Sequence, residues 1–193
     1  MSYLLKGIAV IIAIVFHEMA HGYASHLLGY PTPESSGRLS VNPLNHLDPI
    51  GTLCLFFFGF GWAKPVGINS RYYKNEKLGT CIVALAGPLM NFAIACLCAF
   101  LLNFITNDLL GSFLYILLSI NIGLGCFNLV PFPPLDGSKV LATILPDKPY
   151  WQFMSIERYS MFILMIALYT GILNPVLNIL YDLAFKLVSL FVF

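Results

Sequence analysis

The chain has 193 residues, of which 59% are hydrophobic and 10% are charged, and its formal net charge is +1. An ordinary soluble domain carries about 25% charged residues, so this composition excludes a soluble globular protein. The balance of 10 Lys and Arg against 9 Asp and Glu excludes the basic surface that nucleic-acid binding requires, so no nucleic acid is expected as a partner. The composition therefore predicts an integral membrane protein whose surroundings are the lipid bilayer.

The first apolar segment, residues 3–28, is long enough to cross a membrane. At about 1.5 Å per residue, a helix of this length can span a hydrocarbon core of about 30 Å. The segment lacks a small-residue cleavage site and runs on into polar residues, so we expect it to remain in the mature protein. Its polar residues His17, Glu18 and His21 then lie near the middle of the membrane.

Residues 29–77 form the next region, which is polar at both ends. The alternation at residues 38–41 is typical of a short strand. Residues 49–63 are uncharged but short for a span, which favours a re-entrant element. Five Lys or Arg residues lie in this region (Arg38, Lys64, Arg71, Lys74 and Lys77), whereas the connection near Asp108 has none. The positive-inside rule therefore predicts that residues 29–77 face the cytosol.

Three further apolar segments follow, at residues 78–107, 109–135 and 159–181, and an apolar stretch continues to residue 193. Helix-breaking residues interrupt each segment: Gly87-Pro88, the prolines that precede Asp136, and Asn174-Pro175. The sequence leaves open whether the C-terminal stretch forms one kinked helix or two helices.

Together these segments predict an all-α polytopic membrane protein. We expect about four to six transmembrane helices and a small membrane-associated β or re-entrant element. Residues 1–193 are expected to form a single integral membrane domain, with a core at about residues 3–145 and C-terminal helices at about residues 157–193.

Residues 17–21 read His-Glu-Met-Ala-His. On a helix, positions i and i+4 differ by about 40° around the axis and about 6 Å along it, so His17 and His21 can bind one zinc ion. Glu18 lies close enough to approach a water that zinc activates, without being a ligand. A carboxylate at the centre of a membrane helix costs about 2.5–3.5 kcal/mol, so Glu18 needs a metal, a partner or a wet cavity. A polar contact between helices is the alternative interpretation, and the zinc site is favoured.

A catalytic zinc ion usually has three protein ligands and one open position. Asp136 is the acidic residue of the segment 109–143 and follows three prolines, which would free backbone groups of the kind that line cavities. It could equally cap the helix that starts after it. On spacing alone, both interpretations of Asp136 stay open.

Three motifs together resemble the site-2 proteases, which are zinc intramembrane metalloproteases. They are HEMAH at residues 17–21, AGPLMN at residues 86–91 and NLVPFPPLDG at residues 128–137, and they stand in the order of that family. The resemblance covers most of residues 3–145 and fits a small member without a PDZ or CBS domain. It implies a hydrolase acting on peptide bonds in a prokaryotic cytoplasmic membrane.

The same resemblance implies one zinc ion per chain. Its ligands would be His17, His21 and Asp136, and Glu18 would be the catalytic carboxylate. We expect Asn91, in the second motif, to bond a neighbouring helix.

Further site residues also follow from the family pattern. Asn128, Pro131 and Pro133 match positions that line the active site and help to hold the substrate or the reaction intermediate. Residues 37–52 look like the membrane-associated β element that pairs with an unwound substrate. His46 could approach zinc or substrate, but a structural role in a turn is preferred, because a fourth protein ligand would close the position that water needs.

These observations predict a zinc-dependent intramembrane endopeptidase that cleaves transmembrane segments of membrane-protein substrates. Water activated by the metal would attack a peptide carbonyl, Glu18 would take the proton, and Asn128 could donate to the developing oxyanion. A zinc-binding membrane transporter or sensor is the alternative, although it gives Glu18 no distinct role.

Overall fold

The computed structural model describes residues 2–31, 39–46, 48, 51, 69–155 and 157–191, and within these residues all regular elements are helical. The α-helices are α1 (Ser2–Leu27), α2 (Glu76–Leu102), α3 (Asp108–Leu129), α4 (Asp136–Thr143), α5 (Asp147–Ser155), α6 (Glu157–Thr170) and α7 (Asn174–Ser189). Two short 3₁₀ turns, Pro43–Asn45 and Ser70–Tyr72, lie in the connection between α1 and α2.

Three helices are long and apolar enough to cross a membrane: Tyr3–Leu27 of α1, Glu76–Leu102 (α2) and Asp108–Leu129 (α3). α6 and α7 pass the same test only as a pair, which is bent by 84° at the break between them. The described helices therefore provide three spans, or four if the bent pair is one span. The predicted all-helical membrane architecture agrees with these helices. The predicted number of four to six transmembrane helices is reached only at its lower limit, when the bent pair counts as one span.

The predicted β or re-entrant element lies mostly outside the described residues. Of the strand predicted at residues 38–41, the described residues 39–41 form a turn and a bend instead. The Asn42 side chain accepts a hydrogen bond from the backbone N–H of Leu44 at 3.1 Å, and Pro43 fixes the first backbone angle of the 3₁₀ turn that follows. This local turn chemistry overrides the alternation of the sequence. Residues 49, 50 and 52–63 of the predicted re-entrant element lie outside the described part of the chain.

Asparagine caps set the starts of the second and third spans. The side chain of Asn75 accepts from the N–H of Leu78 at 3.0 Å, and the side chain of Asn107 accepts from the N–H of Leu110 at 3.0 Å. Each cap satisfies a backbone donor that the first turn of a helix leaves free. The segments predicted at residues 78–107 and 109–135 thus correspond to α2 and to α3 with the loop that follows it.

α2 is continuous, so the interruption predicted at Gly87-Pro88 is wrong. Pro88 lies inside the helix and removes one N–H from the backbone ladder, but the helix runs on to Leu102. Prolines are tolerated in membrane helices because neighbouring helices and polar side chains can satisfy the freed backbone groups. Here both Gly87 and Pro88 are buried against neighbouring residues.

The spans form a bundle in which α2 packs against both α1 and α3, and α1 also contacts α3. Small side chains, such as those of Ala9 on α1 and of Ala95 and Ala99 on α2, allow these helices to approach closely. We call the following buried set the apolar cluster: Ala9, Ala95, Cys98, Ala99, Leu114, Leu117, Leu118, Ile122, Cys126 and Val188. α7 contributes Val188 and packs along α2 and α3.

Buried polar side chains occupy other positions of the same bundle. We call the following set the polar layer: His17 and His21 on α1, Asn91 on α2, Asn121 on α3 and Asp136 on α4. α4 reaches this layer because it packs against α2.

The connection between α3 and α4 turns sharply at the three prolines, as predicted, and the approach of the two helices requires Gly137. A Cβ atom at Gly137 would lie 2.2 Å from the carbonyl oxygen of Leu129 and 2.7 Å from that of Val130. Any larger residue would therefore push the start of α4, and Asp136 with it, away from the end of α3.

The C-terminal stretch forms two helices rather than one kinked helix. α6 ends at Thr170, Gly171 adopts φ +71°, and α7 begins at Asn174 with Pro175 in its first turn. Glycine allows the left-handed backbone that ends a helix, and proline is favoured at the start of the next one. The break predicted at Asn174-Pro175 is confirmed.

Candidate metal centre

Three ligand atoms from α1 and α4 converge in the polar layer. His17 Nε2 lies 3.0 Å from His21 Nε2, and Asp136 Oδ2 lies 3.2 Å from the first and 3.1 Å from the second. All three residues are buried, and their donor atoms form a group that could hold one metal ion. Ligands held at about 2.0–2.1 Å in tetrahedral geometry lie about 3.3–3.4 Å from each other, so these separations fit a single zinc ion.

Hydrogen bonds determine which nitrogen of each ring can bind a metal. His21 Nδ1 lies 2.7 Å from the backbone carbonyl oxygen of Val83, which can only accept, so Nδ1 of His21 carries the hydrogen. His17 Nδ1 lies 2.7 Å from Asn91 Oδ1 and donates in the same way. Both Nε2 atoms then present lone pairs towards each other and towards the Asp136 carboxylate. Such a set of electron-pair donors fits a cation at its centre.

The close approach of α2 to the two histidines depends on Gly87. A Cβ atom at this position would lie 2.4 Å from His21 Nε2 and 2.7 Å from His17 Nε2. A side chain here would occupy space that the two ligand atoms need. Gly87 belongs to the motif at residues 86–91, but the spacing of that motif does not predict its contact with the two histidines.

The structure excludes one of the two interpretations of Asp136, the helix cap. Leu135 occupies the N-cap of α4 and Asp136 is the first residue of the helix, so Asp136 is not the cap. Its Oδ2 atom points to the histidines, and its Oδ1 atom lies 3.8 Å from Lys139 Nζ. Lys139, one turn along α4, therefore balances part of the negative charge of the carboxylate.

Glu18 lies on α1 next to His17, and its side chain is partly buried. It is not part of the converging group of three, which agrees with a residue that acts beside the metal instead of holding it. Its catalytic role stays a prediction.

Among the described residues, the other predicted site residues lie outside the group of three converging side chains. Asn128 is half-buried at the end of α3, and its amide donates to the carbonyl of Leu124 at 3.1 Å. Pro131 is exposed and Pro133 is partly buried in the turn before Asp136. His46 is fully buried, and its Nε2 donates to the backbone carbonyl of Ser40 at 2.6 Å, a bond of the kind that a structural role predicts.

Two buried amides complete the surroundings of His17. Asn91 bonds neighbouring helices as expected: its Nδ2 donates to the carbonyl of Ala13 on α1 and to Asn121 Oδ1 on α3. Asn121 was not among the residues predicted from the sequence. An amide in the middle of an uncharged span was the available signal, because unpaired polar groups are costly at that depth.

A tyrosine outside the spans ties the end of α1 to the start of α2. The hydroxyl of Tyr73 lies 2.6 Å from Ser25 Oγ, and the Tyr73 ring packs on Gly79. Burial raises the pKa of the Tyr73 phenol above its usual value, so the hydroxyl stays neutral and can share its hydrogen with Ser25.

Comparisons with known proteins agree with this geometry. The family model described as Peptidase family M50 matches residues 103–168. The candidate zinc metalloprotease YwhC of Bacillus subtilis (strain 168) is 34% identical over 198 residues, which cover 94% of this chain and 90% of that protein. The chain belongs to peptidase family M50. It is a member of the site-2 protease family, and the predicted resemblance is confirmed.

Archaeal relatives give the same result. A second candidate zinc metalloprotease, from Methanocaldococcus jannaschii, is 34% identical over 145 residues, which cover 72% of this chain and 70% of that protein. A protein of the same organism named zinc metalloprotease is 28% identical over 142 residues, and the match spans only 34% of its length. No solved structure gave a significant match.

Membership of this family establishes the class of the protein. It is a zinc metalloprotease, a hydrolase acting on peptide bonds, and its apolar helices make it an integral membrane protein. Zinc is its cofactor, and the chemistry of the His17, His21 and Asp136 donor set fits that ion.

Proposed function

We propose that this metalloprotease is an intramembrane endopeptidase that cleaves transmembrane segments of membrane-protein substrates. The observation that carries this proposal is the position of the three converging side chains. His17 lies about 4 Å along the axis from the midpoint of α1, a helix long enough to span the bilayer. A protease site at this depth has access to peptide bonds inside the membrane.

His17 Nε2, His21 Nε2 and Asp136 Oδ2 are the atoms that would hold zinc. A zinc ion bound there would supply Lewis-acid chemistry for the scissile carbonyl and for a water nucleophile at neutral pH. Two imidazoles and one carboxylate leave a coordination position for reactants, as catalytic sites require.

Glu18 is the general base in this proposal. A carboxylate oxygen of Glu18 takes the proton from the attacking water and returns it to the nitrogen of the leaving amine. Its place directly after His17 and its partial burial support this role, because the side chain stays near the site without being a ligand.

Residues between α3 and α4 would hold the substrate. Asn128 has a second N–H beside the one that bonds Leu124, and this hydrogen can be donated to the developing oxyanion. Pro131 and Pro133 stand in the turn that leads to Asp136 and would shape the path of the substrate. His46, held by Ser40, would stabilise the turn at residues 39–46.

The substrates in this proposal are transmembrane proteins whose helices unwind locally before cleavage. A helix engages its carbonyls in its own hydrogen bonds, so unwinding is needed to expose the scissile bond. The membrane would be a prokaryotic cytoplasmic membrane, with residues 29–77 facing the cytosol, and bacterial relatives and the basic residues of this region support that orientation. Residues 1–193 would act as one domain, with a core at about 3–145 and helices at about 157–193.

Glu18→Gln tests the mechanism, because glutamine keeps the shape of the side chain but cannot take a proton. We expect zinc content to stay near one ion per chain while cleavage of a single-span substrate falls by about 10²–10⁴-fold. Glu76→Gln, the same exchange in the first turn of α2, is the matched control and should cleave normally.

Normal cleavage by Glu18→Gln would remove Glu18 from the mechanism. A transporter or sensor, the alternative function, would keep its zinc flux or signal in the same variant and would cleave no substrate in the unmodified protein.

A further inference from the structure

A chain of two buried asparagines stands behind His17 and links three helices. His17 Nδ1 donates to Asn91 Oδ1 at 2.7 Å, and Asn91 Nδ2 donates to Asn121 Oδ1 at 2.9 Å. Asn121 Nδ2 in turn donates to the backbone carbonyl of Leu117 at 2.8 Å. Both asparagines are 0% exposed. We call His17, Asn91 and Asn121 the amide relay; it joins α1, α2 and α3 in that order.

Two backbone carbonyls fix the direction of every hydrogen bond in the amide relay. The carbonyl of Leu117 can only accept, so the nitrogen of the Asn121 amide faces it and the oxygen faces Asn91. The carbonyl of Ala13 accepts from Asn91 Nδ2 at 3.2 Å, so both hydrogens of that amide are engaged. The oxygen of Asn91 is then the atom that faces His17, and Nδ1 of His17 must be the donor.

This arrangement leaves Nε2 of His17 as the unprotonated nitrogen that points to His21 and Asp136. His21 reaches the same tautomer by a shorter path, because its Nδ1 donates directly to the backbone carbonyl of Val83. The tautomer of His17 is therefore held by side chains that mutation can change, whereas the tautomer of His21 is held by the backbone.

We infer that Asn91 and Asn121 are positioning residues for the zinc site. Asn91 holds the ring orientation and tautomer of His17, and Asn121 holds the amide of Asn91 in the direction that this task requires. The inference rests on the proposed role of His17 as a zinc ligand. Without the acceptor on Asn91, the ring hydrogen of His17 loses its buried partner, and a tautomer with the hydrogen on Nε2 competes with metal binding.

Zinc affinity separates this role from a purely structural one. Substituting a partner that orients a metal-binding histidine typically costs 10–100-fold in metal affinity. A bond that serves only to hold helices together changes the resistance to unfolding and leaves the dissociation constant for zinc unchanged. The tautomer of the His17 ring can also be measured in the metal-free protein, because the ¹⁵N chemical shifts of the two tautomers differ.

The experiment measures the dissociation constant for zinc by chelator competition in the full-length protein. Asn91→Leu removes the acceptor and should weaken binding by about 10–100-fold. Asn91→Asp keeps an acceptor for His17 and should recover most of that loss. Asn121→Leu leaves Asn91 present but free to turn, and should weaken binding by less than Asn91→Leu.

Asn103→Leu is the control, since Asn103 lies at the C-cap of α2, the same helix as Asn91, and its amide donates to the carbonyl of Phe191, away from the metal centre. It should bind zinc like the unmodified protein. If Asn91→Leu does not fold, two other measurements test the positioning role. They are the zinc affinity of Asn121→Leu compared with Asn103→Leu, and the ¹⁵N shifts of His17 in Asn121→Leu.

His17→Ala should bind zinc weakly if His17 is a ligand. If it does, and if Asn121→Leu and the Asn91 variants that fold bind zinc with unchanged affinity, the positioning role is overturned and the proposed function is left intact. Unchanged affinity in His17→Ala would instead remove the proposed zinc site itself. A graded loss, with recovery in Asn91→Asp and a changed His17 tautomer in the metal-free variants, is the result expected.

Discussion

The apolar cluster and the polar layer are built on the same helices but hold them together in different ways. On α1, Ala9 belongs to the apolar cluster, whereas His17 and His21 belong to the polar layer two turns or more further on. On α2, Ala95 lies in the cluster and Asn91 lies in the layer. Small side chains allow close packing in the first region, and each polar side chain of the second bonds another helix or another member of the layer.

The membrane explains why the two regions should respond differently to substitution. Lipid is as apolar as the inside of the bundle, so the apolar cluster contributes mainly through the fit of its side chains. A buried polar group that loses its partner has no water to replace it. We therefore expect changes in the polar layer to alter metal binding first, and changes in the apolar cluster to alter stability alone.

The largest effect is expected for Asp136→Asn. The amide is a much weaker zinc ligand than the carboxylate, so zinc per chain should fall far below one and cleavage should be lost. Elemental analysis of the purified protein measures the first result. Asp108→Asn, at the exposed start of α3, should keep full zinc content. Full zinc occupancy in Asp136→Asn would show that Asp136 is not a ligand.

Gly87→Ala should have the next largest effect. The new Cβ atom would lie 2.4 Å from His21 Nε2, so the rings must shift and zinc affinity should fall by more than about tenfold, as it does when residues that orient metal ligands are changed. The helix content should not change. Gly123→Ala is the control, because the added Cβ would meet no atom of another helix within 4 Å. Zinc binding like that of the control would mean that the bundle adjusts easily around Gly87.

Leu114→Ala tests the apolar cluster. Leu114 is buried in this cluster, and its truncation should lower the free energy of unfolding by about 2–4 kcal/mol through lost packing. Denaturation in mixed detergent measures this value, and the dissociation constant for zinc should not change. Leu110→Ala, at an exposed position of the same helix, should cost less than about 0.5 kcal/mol. A loss of zinc affinity in Leu114→Ala would contradict the separation of the two regions.

Tyr73→Phe should have the smallest effect. It removes the hydroxyl that bonds Ser25 and should lower the free energy of unfolding by about 1 kcal/mol, with no change in zinc content. The exposed neighbour Tyr72 provides the control Tyr72→Phe. Equal stability of the two variants would show that the bond between Tyr73 and Ser25 contributes nothing measurable.

Several features of this protein were determined by the sequence alone because they depend on short-range geometry. Composition and segment length fixed the membrane helices, since the thickness of a bilayer sets how many apolar residues a span needs. The spacing of His17 and His21 placed both on one face of α1, since positions i and i+4 are neighbours on any helix. The break at Asn174-Pro175 followed from local backbone chemistry in the same way.

Other features were decided only by the tertiary structure, because they depend on which distant segments meet. Asp136 lies 115 residues from His21 along the chain, and only the packing of α4 against α2 brings its carboxylate beside the two histidines. Gly87 and Asn121 gained their places in the centre by the same packing. Local rules describe what each segment prefers, whereas the partner of a buried polar group is set by the whole bundle.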